Sequence, residues 1–222
     1  NSHQDRYARG YAATHQDREQ DMAMMDEIGA NAIRFAHYQH DPLVYELAAE
    51  RGITVWAEIP MVNTIKNTKE FYDSTIFNLR EMIHQAYNIP SVLMWGIHNE
   101  QWPYEGITVM LDRLYKVCKE EDPSRLVTVA TAQEAGDTVN ESKWDYTTLS
   151  WQSDISAWNK YFGIYQGKDA RYYDTWINQV HDYGRKHKTI YGTDEMITNP
   201  DGQKEDIPVY VHGNVGMSEY GA

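Results

Sequence analysis

A run of apolar residues that ends abruptly in an amide and a carboxylate places the strongest constraint on the fold of this chain. The run follows Pro90, extends from Val92 to Ile97, and is closed by Asn99 and Glu100. Such a run is typical of a strand buried on both faces, as in a parallel sheet covered by helices. In a (β/α) barrel, polar residues at the carboxyl ends of these strands line the catalytic mouth. Glu100 is therefore the first candidate for a catalytic group. The alternative is that the Asn-Glu pair only caps the following loop.

Strand-like and helix-like segments alternate along the rest of the chain. Apolar, β-branched runs predict strands at residues 31–38, 53–58, 126–131 and 146–151, and a short strand at 215–222. Helical periodicity and capping signals predict helices over 17–28, from 42 to just before Gly52, over about 71–87, from 109 to about 122, and over 171–188. For the third of these helices, Asp73 and Ser74 are among the plausible caps. Residues 158–165 are expected to form an aromatic loop, and residues 198–214 a long loop or insertion.

The alternation selects a parallel α/β architecture over an α+β one. About six strands follow a missing first one, and a complete eight-fold barrel needs roughly 250 residues. Residues 1–222 are therefore predicted to form one (β/α)8 TIM-barrel domain that is truncated at both ends. A doubly wound sheet is the competing topology, but no glycine-rich phosphate loop supports it. Because a barrel without its closing strand leaves two open edges, this piece alone is expected to be marginally stable or stabilised by self-association.

Composition limits the partners of the chain. A net charge of −13 argues against nucleic acid or an anionic membrane and leaves a neutral or small solute. Seven Trp and 17 Tyr suit stacking on hydroxylated ligands, although core packing is their commoner role. A single cysteine, Cys118, cannot form an intrachain disulfide, so the compartment stays open. No run of about 18 apolar residues is present, which predicts a soluble chain.

Six short motifs are spread along nearly the whole chain. They are His3-Gln4-Asp5-Arg6, Asn31-Ala32-Ile33-Arg34 with His37-Tyr38, Trp56-Ala57-Glu58-Ile59-Pro60, Asn88-Ile89-Pro90-Ser91 with Asn99-Glu100, Asn159-Lys160-Tyr161-Phe162-Gly163, and Ser218-Glu219-Tyr220-Gly221-Ala222. In this order they resemble the catalytic barrel of glycoside hydrolase family 2, which holds β-galactosidases, β-glucuronidases and β-mannosidases. Within the family, three segments look most like bacterial β-galactosidases: His3-Gln4-Asp5-Arg6, His37-Tyr38-Gln39-His40 and Trp56-Ala57-Glu58-Ile59-Pro60.

The resemblance implies a pair of catalytic carboxylates. Retaining β-glycosidases need two carboxyl groups about 5–5.5 Å apart, one acid and one nucleophile. By the resemblance, Glu100 is the acid/base and Glu219 the nucleophile. Glu195 also follows a short apolar run and is the rival nucleophile, but its surroundings do not match the family motif. Glu58 is open between a site carboxylate and a partner for a structural arginine.

The resemblance also implies a set of substrate-binding residues. Asn99 matches the residue that binds the sugar 2-hydroxyl, Arg34 and Tyr161 would hold Glu219 ionised, and His3, His37 and Asn159 would contact the sugar or line the rim. Each has a structural alternative: a buried ion pair for the arginine, packing for the tyrosine and the histidines. The loop at 60–63 offers no cluster of acidic and histidine ligands, so neither a catalytic metal nor a cofactor is predicted.

The function predicted is that of a retaining β-galactosidase acting on an oligosaccharide or a small β-galactoside. A β-glucuronidase, a β-mannosidase or another retaining β-glycosidase of the same fold is the alternative enzyme. A carbohydrate-binding barrel without catalytic activity is the alternative from a different class. The presence of both Glu100 and Glu219 argues against it.

Overall fold

The computed structural model describes residues 1–63, 65–101, 106–131, 153–159, 171–172, 174–176, 178, 197–198 and 204–205. Its helices are α1 (His15–Glu27), α2 (Pro42–Glu50), α3 (Lys69–Ala86) and α4 (Ile107–Glu121). Its strands are β1 (Ala32–Phe35), β2 (Thr54–Glu58), β3 (Val92–Asn99), β4 (Leu126–Thr131), β5 (Ile155–Trp158), β6 (Ile197–Thr198) and β7 (Lys204–Glu205). Strands β6 and β7 form a separate antiparallel ladder.

Strands β1 to β5 form one parallel sheet in which spatial order follows chain order. Helices α2, α3 and α4 connect the first four strands in turn. A doubly wound sheet reverses its strand order at a switch point, whereas these strands advance in one direction, as in a (β/α) barrel. The predicted fold class is therefore confirmed, and the carboxyl ends of all five strands lie at one edge. Ser2 lies beside β1, with its N–H donating to the Arg34 carbonyl at 2.8 Å.

The two faces of the sheet carry different side chains, because successive residues of a strand point to opposite sides. One face packs on the helices and holds the apolar members of the pattern: Ile33, Phe35, Val55, Ala57, Trp95, Ile97, Val127 and Val129. Three residues on the other face, Arg34 of β1 and Trp56 and Glu58 of β2, are also buried but lie outside that core. Full burial of a polar residue such as Arg34 requires hydrogen-bonding partners, and the neighbouring strands supply them.

The helix starts follow local capping chemistry. Thr68 caps α3 by accepting the Phe71 N–H at 3.2 Å, so the predicted caps Asp73 and Ser74 are wrong and lie inside the helix. Helix α1 begins two residues before its predicted start, because Thr14 and Asp17 form a reciprocal capping box. The predicted start of α2 is confirmed, with Asp41 accepting the Leu43 N–H at 3.0 Å.

The largest difference from the sequence prediction is β5. Residues 155–158 were not predicted as a strand, and Trp158 was placed in an aromatic loop, yet this segment pairs in parallel with β4 from Thr128 to Thr131. A four-residue segment carries too little pattern to be recognised locally, and its pairing with β4 decides its conformation. The predicted strands at 146–151 and 215–222 lie outside the described residues. Of the predicted helix 171–188, residues 172, 174–176 and 178 are helical, and Trp176 is fully buried.

No helix in the part of the chain that the structure describes is long and apolar enough to cross a membrane.

Candidate active site

A buried ion pair between β1 and β2 forms the base of the site. Arg34 donates from Nε to Glu58 Oε2 at 2.7 Å and from Nη2 to Glu58 Oε1 at 3.0 Å, and both side chains are 1% exposed. This two-pronged geometry matches a guanidinium to a carboxylate and fixes both planes. Burial raises the pKa of Glu58, but the charge of Arg34 and the hydrogen bonds from His37 and Arg34 outweigh burial and hold that pKa below its usual value. Glu58 is therefore ionised at neutral pH.

His37, just beyond the carboxyl end of β1, joins the same carboxylate. Its Nδ1 lies 2.6 Å from Glu58 Oε1 and 3.3 Å from Arg34 Nη2. An ionised carboxylate can only accept hydrogen bonds, so Nδ1 must carry the proton. The guanidinium can only donate, so it forms no hydrogen bond with a protonated Nδ1. Arg34 Nη2 and His37 Nδ1 lie close together because both donate to the same acceptor, Glu58 Oε1. The structure therefore assigns the Nδ1–H form to His37.

Two asparagines extend the network from Arg34 to the end of β3. Arg34 donates to Asn99 Oδ1 at 2.7 Å and to Asn159 Oδ1 at 3.1 Å. Asn159 Nδ2 in turn donates to Asn99 Oδ1 at 2.9 Å. Both amides are buried, and their oxygen and nitrogen assignments follow from Arg34 being a donor at both. The hydrogen bonds described for the Asn99 side chain both use Oδ1, which leaves Nδ2 as the side-chain atom with which Asn99 can donate to a ligand.

Glu100 follows the last residue of β3 and completes the network. Asn159 Nδ2 donates to Glu100 Oε1 at 2.7 Å, and the Glu100 N–H donates to the Ala130 carbonyl of β4 at 2.7 Å. The backbone of Glu100 has φ +51°, in the left-handed region, which costs a residue with a Cβ about 1–2 kcal/mol. Such strain persists only where the surroundings enforce it, and it is common at functional sites. A backbone hydrogen bond to β4 and a side-chain hydrogen bond from Asn159, which follows β5, thus hold Glu100 at the mouth.

Gly96 allows β2 and β3 to bring these groups together. A Cβ at this position would lie 2.2 Å from Trp56 Nε1 and 2.6 Å from Glu58 Cβ. Trp56 is also held by a cation–π contact, because the Arg34 guanidinium lies 4.3 Å from the centroid of its ring. The missing side chain at Gly96 therefore makes room for the indole and for the carboxylate.

Aromatic rings continue from His37 toward solvent along the loop that follows Ser2. The His3 ring lies edge-on to His37 at 5.4 Å and tilted against Tyr38 at 6.0 Å. Tyr11, which is 65% exposed, packs on the far side of Tyr38 at 5.7 Å. Burial raises the pKa of Tyr38 to about 12, so its hydroxyl stays protonated.

The structure brings together most of the residues that the sequence predicted for the site. Arg34, His37, Asn99, Glu100 and Asn159 belong to one hydrogen-bonded network, and His3 contacts it through His37. The predicted nucleophile Glu219, its rival Glu195, and Tyr161 lie outside the described residues.

Glu58 lies at the centre of the network. The sequence left open whether it is a site carboxylate or a partner for a structural arginine. Glu58 is the described partner of Arg34, and it also contacts His37 in the site. The two readings of Glu58 are therefore compatible. The signal in the sequence was its position at the end of an apolar strand, the same signal that singled out Glu100.

The described residues contain no group of three or more His, Cys, Asp or Glu side chains placed to hold a metal ion.

Comparison with known proteins identifies the family. Residues 1–190 match the family described as "Glycosyl hydrolases family 2, TIM barrel domain". A β-glucuronidase of Bacteroides fragilis is 32% identical over 228 residues, which cover 99% of this chain and 27% of that protein. A β-galactosidase of Psychromonas ingrahamii is 26% identical over 134 residues, covering 57% of this chain and 13% of that protein.

A solved structure supports the same conclusion. The crystal structure of a β-glucuronidase of Bacteroides uniformis superposes with a TM-score of 0.72 at 34% identity, over 82% of this chain and 22% of that one. The chain thus spans about a quarter of the length of the B. fragilis relative. The resemblance drawn from the six motifs is confirmed: this chain belongs to the TIM-barrel domain of glycoside hydrolase family 2.

Proposed function

We propose that this chain carries the catalytic centre of a retaining β-glycosidase, with Glu100 as the acid/base and Glu219 as the nucleophile. The observation that carries the proposal is the position of Glu100. Its carboxylate lies at the mouth of a parallel barrel sheet and is held by Asn159, which is itself held by Arg34. Family membership makes the two-carboxylate mechanism the natural chemistry of such a group. Two strands on opposite sides of a barrel mouth can supply the required separation of the carboxyl groups.

The proposed reaction has two steps, and Glu100 acts as an acid in the first and as a base in the second. Glu219 attacks the anomeric carbon, and the bond from that carbon to the leaving oxygen breaks as Glu100 gives this oxygen its proton. Glu100 then takes a proton from water, whose oxygen replaces Glu219 on the sugar and restores both carboxyl groups. Asn99 donates from Nδ2 to the sugar 2-hydroxyl, a contact that strengthens in the transition state.

The sugar that we propose is a terminal β-D-galactoside, in a small glycoside or an oligosaccharide. The motifs around His3, His37 and Glu58 support it, because they look most like those of bacterial β-galactosidases. A β-D-glucuronide is the second candidate. It is favoured by the names of relatives that match most of the chain, such as the B. fragilis protein at 99% coverage.

The test is mass spectrometry of peptides after incubation with an activated 2-deoxy-2-fluoro-β-galactoside. The fluorine slows hydrolysis of the glycosyl ester, so the nucleophile stays labelled. The proposal predicts an adduct on the peptide that contains Glu219. The adduct should be absent from Glu219→Gln and present in Glu195→Gln. This result would support Glu219 as the nucleophile, the retaining mechanism and galactose as the sugar. An adduct on Glu195 would overturn the choice of nucleophile.

Parallel incubation with the glucuronide analogue separates the two sugars. Labelling by the glucuronide reagent alone would reject the galactoside and retain the mechanism. If neither reagent labels the folded chain, but calorimetry detects binding of a sugar, the catalytic proposal fails and the chain is a carbohydrate-binding barrel.

A further inference from the structure

We propose that Glu58 is a positioning residue of the catalytic centre, which fixes the tautomer of His37 and the plane of the Arg34 guanidinium while taking no part in bond making. This inference deepens the proposed function and rests on it for its kinetic consequences. Its structural part, the protonation of His37 at Nδ1, stands independently of any activity.

Both carboxylate oxygens of Glu58 accept hydrogen bonds from residues of the site. Oε2 accepts from Arg34 Nε, and Oε1 accepts from both Arg34 Nη2 and His37 Nδ1. A carboxylate with three donors at 2.6–3.0 Å and 1% exposure is poorly placed to act as a nucleophile or as a proton donor. It is well placed to hold two side chains in fixed orientations.

The orientation of Arg34 passes directly to the residues around the proposed acid. Arg34 contacts Asn99 at 2.7 Å and Asn159 at 3.1 Å, and Asn159 contacts Glu100 at 2.7 Å. A rotation of the guanidinium would therefore move the two amides that surround Glu100. Displacements of about 1 Å at a catalytic group cost on the order of 100-fold in rate.

The orientation of His37 is set by the same carboxylate. In a neutral imidazole, a proton on Nδ1 leaves Nε2 as the ring atom that can accept a hydrogen bond. A carboxylate that holds a functional histidine in one tautomer can affect activity strongly, as the aspartate of the Ser-His-Asp triad does.

The matched control is Asp122, a buried carboxylate with an arginine partner at the other end of the strands. Asp122 Oδ2 accepts from Arg125 Nη1 at 2.7 Å and from Trp95 Nε1 at 3.1 Å. Arg125 also donates to the carbonyl of Val92, the first residue of β3. Asp122→Asn therefore weakens a buried ion pair as Glu58→Gln does, but away from the mouth.

The first measurement is ¹⁵N NMR of the histidine rings in the full chain, with His37 assigned by its loss in His37→Gln. We expect a protonated Nδ1 in the unchanged protein and in Asp122→Asn, and loss of that signature in Glu58→Gln. An unprotonated Nδ1 in the unchanged protein overturns the proposal, even if Glu58→Gln fails to fold. This readout is independent of catalysis, so it separates failure of the positioning role from failure of the proposed function.

The second measurement is steady-state hydrolysis of an aryl glycoside that the unchanged protein cleaves. Glu58→Gln is expected to lower kcat about 100-fold with KM changed by less than about threefold, because the network acts on the transition state. Glu58→Asp, which keeps the charge, is expected to recover about tenfold of that loss. If Asp122→Asn, at equal loss of stability, lowers kcat as much, the effect of Glu58 is merely structural and the proposal is wrong.

Discussion

Adding one methyl group at Gly96 should damage stability and activity together, because this position touches both the sheet and the site. A Cβ there would meet Trp56 Nε1 at 2.2 Å, Glu58 Cβ at 2.6 Å and Glu58 Oε2 at 3.2 Å. Ordinary contacts are about 3.5–4.0 Å, so the indole would have to move by more than about 1 Å. Trp56 cannot move freely, because Arg34 lies over its ring at 4.3 Å and is held by Glu58.

The magnitude follows from the rigidity of these neighbours. Overpacking of a well-packed core costs typically 1–3 kcal/mol, and we expect Gly96→Ala to reach about 3 kcal/mol. For a chain of this size each kcal/mol lowers Tm by about 2–4 °C, so the expected loss is about 6–12 °C by calorimetry. Activity toward an aryl glycoside should fall about 10–100-fold in the folded variant, because Glu58 and Arg34 are displaced together.

Gly52→Ala is the control that separates crowding from backbone strain. Gly52 has φ +67° with nothing within 4 Å of a built Cβ, so alanine there costs about 1 kcal/mol of strain and leaves kcat unchanged. Surface substitutions usually change the free energy of unfolding by less than about 0.5 kcal/mol. If Gly96→Ala changes it by no more than that, β2 and β3 do not approach each other as closely as described, and the expected loss of stability is wrong.

Three further predictions concern Glu100, His40 and Cys118. Glu100→Ala should lower kcat/KM by about 10²–10⁴-fold for glycosides with poor leaving groups. The loss should be far smaller for activated aryl glycosides, because their leaving oxygen departs without being protonated. Equal losses for the two kinds of substrate would contradict the role of Glu100 as the acid. Burial lowers the pKa of His40 from 6.5 to about 4. As the pH falls from about 6.5 to 4, the unfolded state therefore binds a proton that the folded state does not bind. The free energy of unfolding declines by about 3 kcal/mol over that window. Guanidinium unfolding at pH 7 and 4.5 should show this decline, and His40→Gln should flatten it; an unchanged slope in the variant would refute the assignment. Burial also raises the pKa of the Cys118 thiol, so an aromatic disulfide reagent should label it only after unfolding, and rapid labelling of the native chain would contradict its burial.

Local chemistry in the sequence was enough to recognise most of the elements and the family. Apolar runs ending in polar residues marked β2 and β3, the Asp41-Pro42 pair marked the start of α2, and motif order singled out Arg34 and Glu100 as site candidates. These signals are readable because strand burial, helix capping and proline geometry act over a few neighbouring residues.

Tertiary structure decided what depends on contacts between distant segments. Residues 155–158 form β5 by pairing in parallel with β4, which lies more than 20 residues away in the sequence. The role of Glu58 was likewise open in the sequence, since a carboxylate at a strand end can be catalytic or structural. The structure places Arg34 and His37 on its two oxygens, and this geometry arises from the register of β1 against β2. The register of a strand depends on the burial pattern and pairing of the whole sheet. No short segment of the sequence therefore determines it.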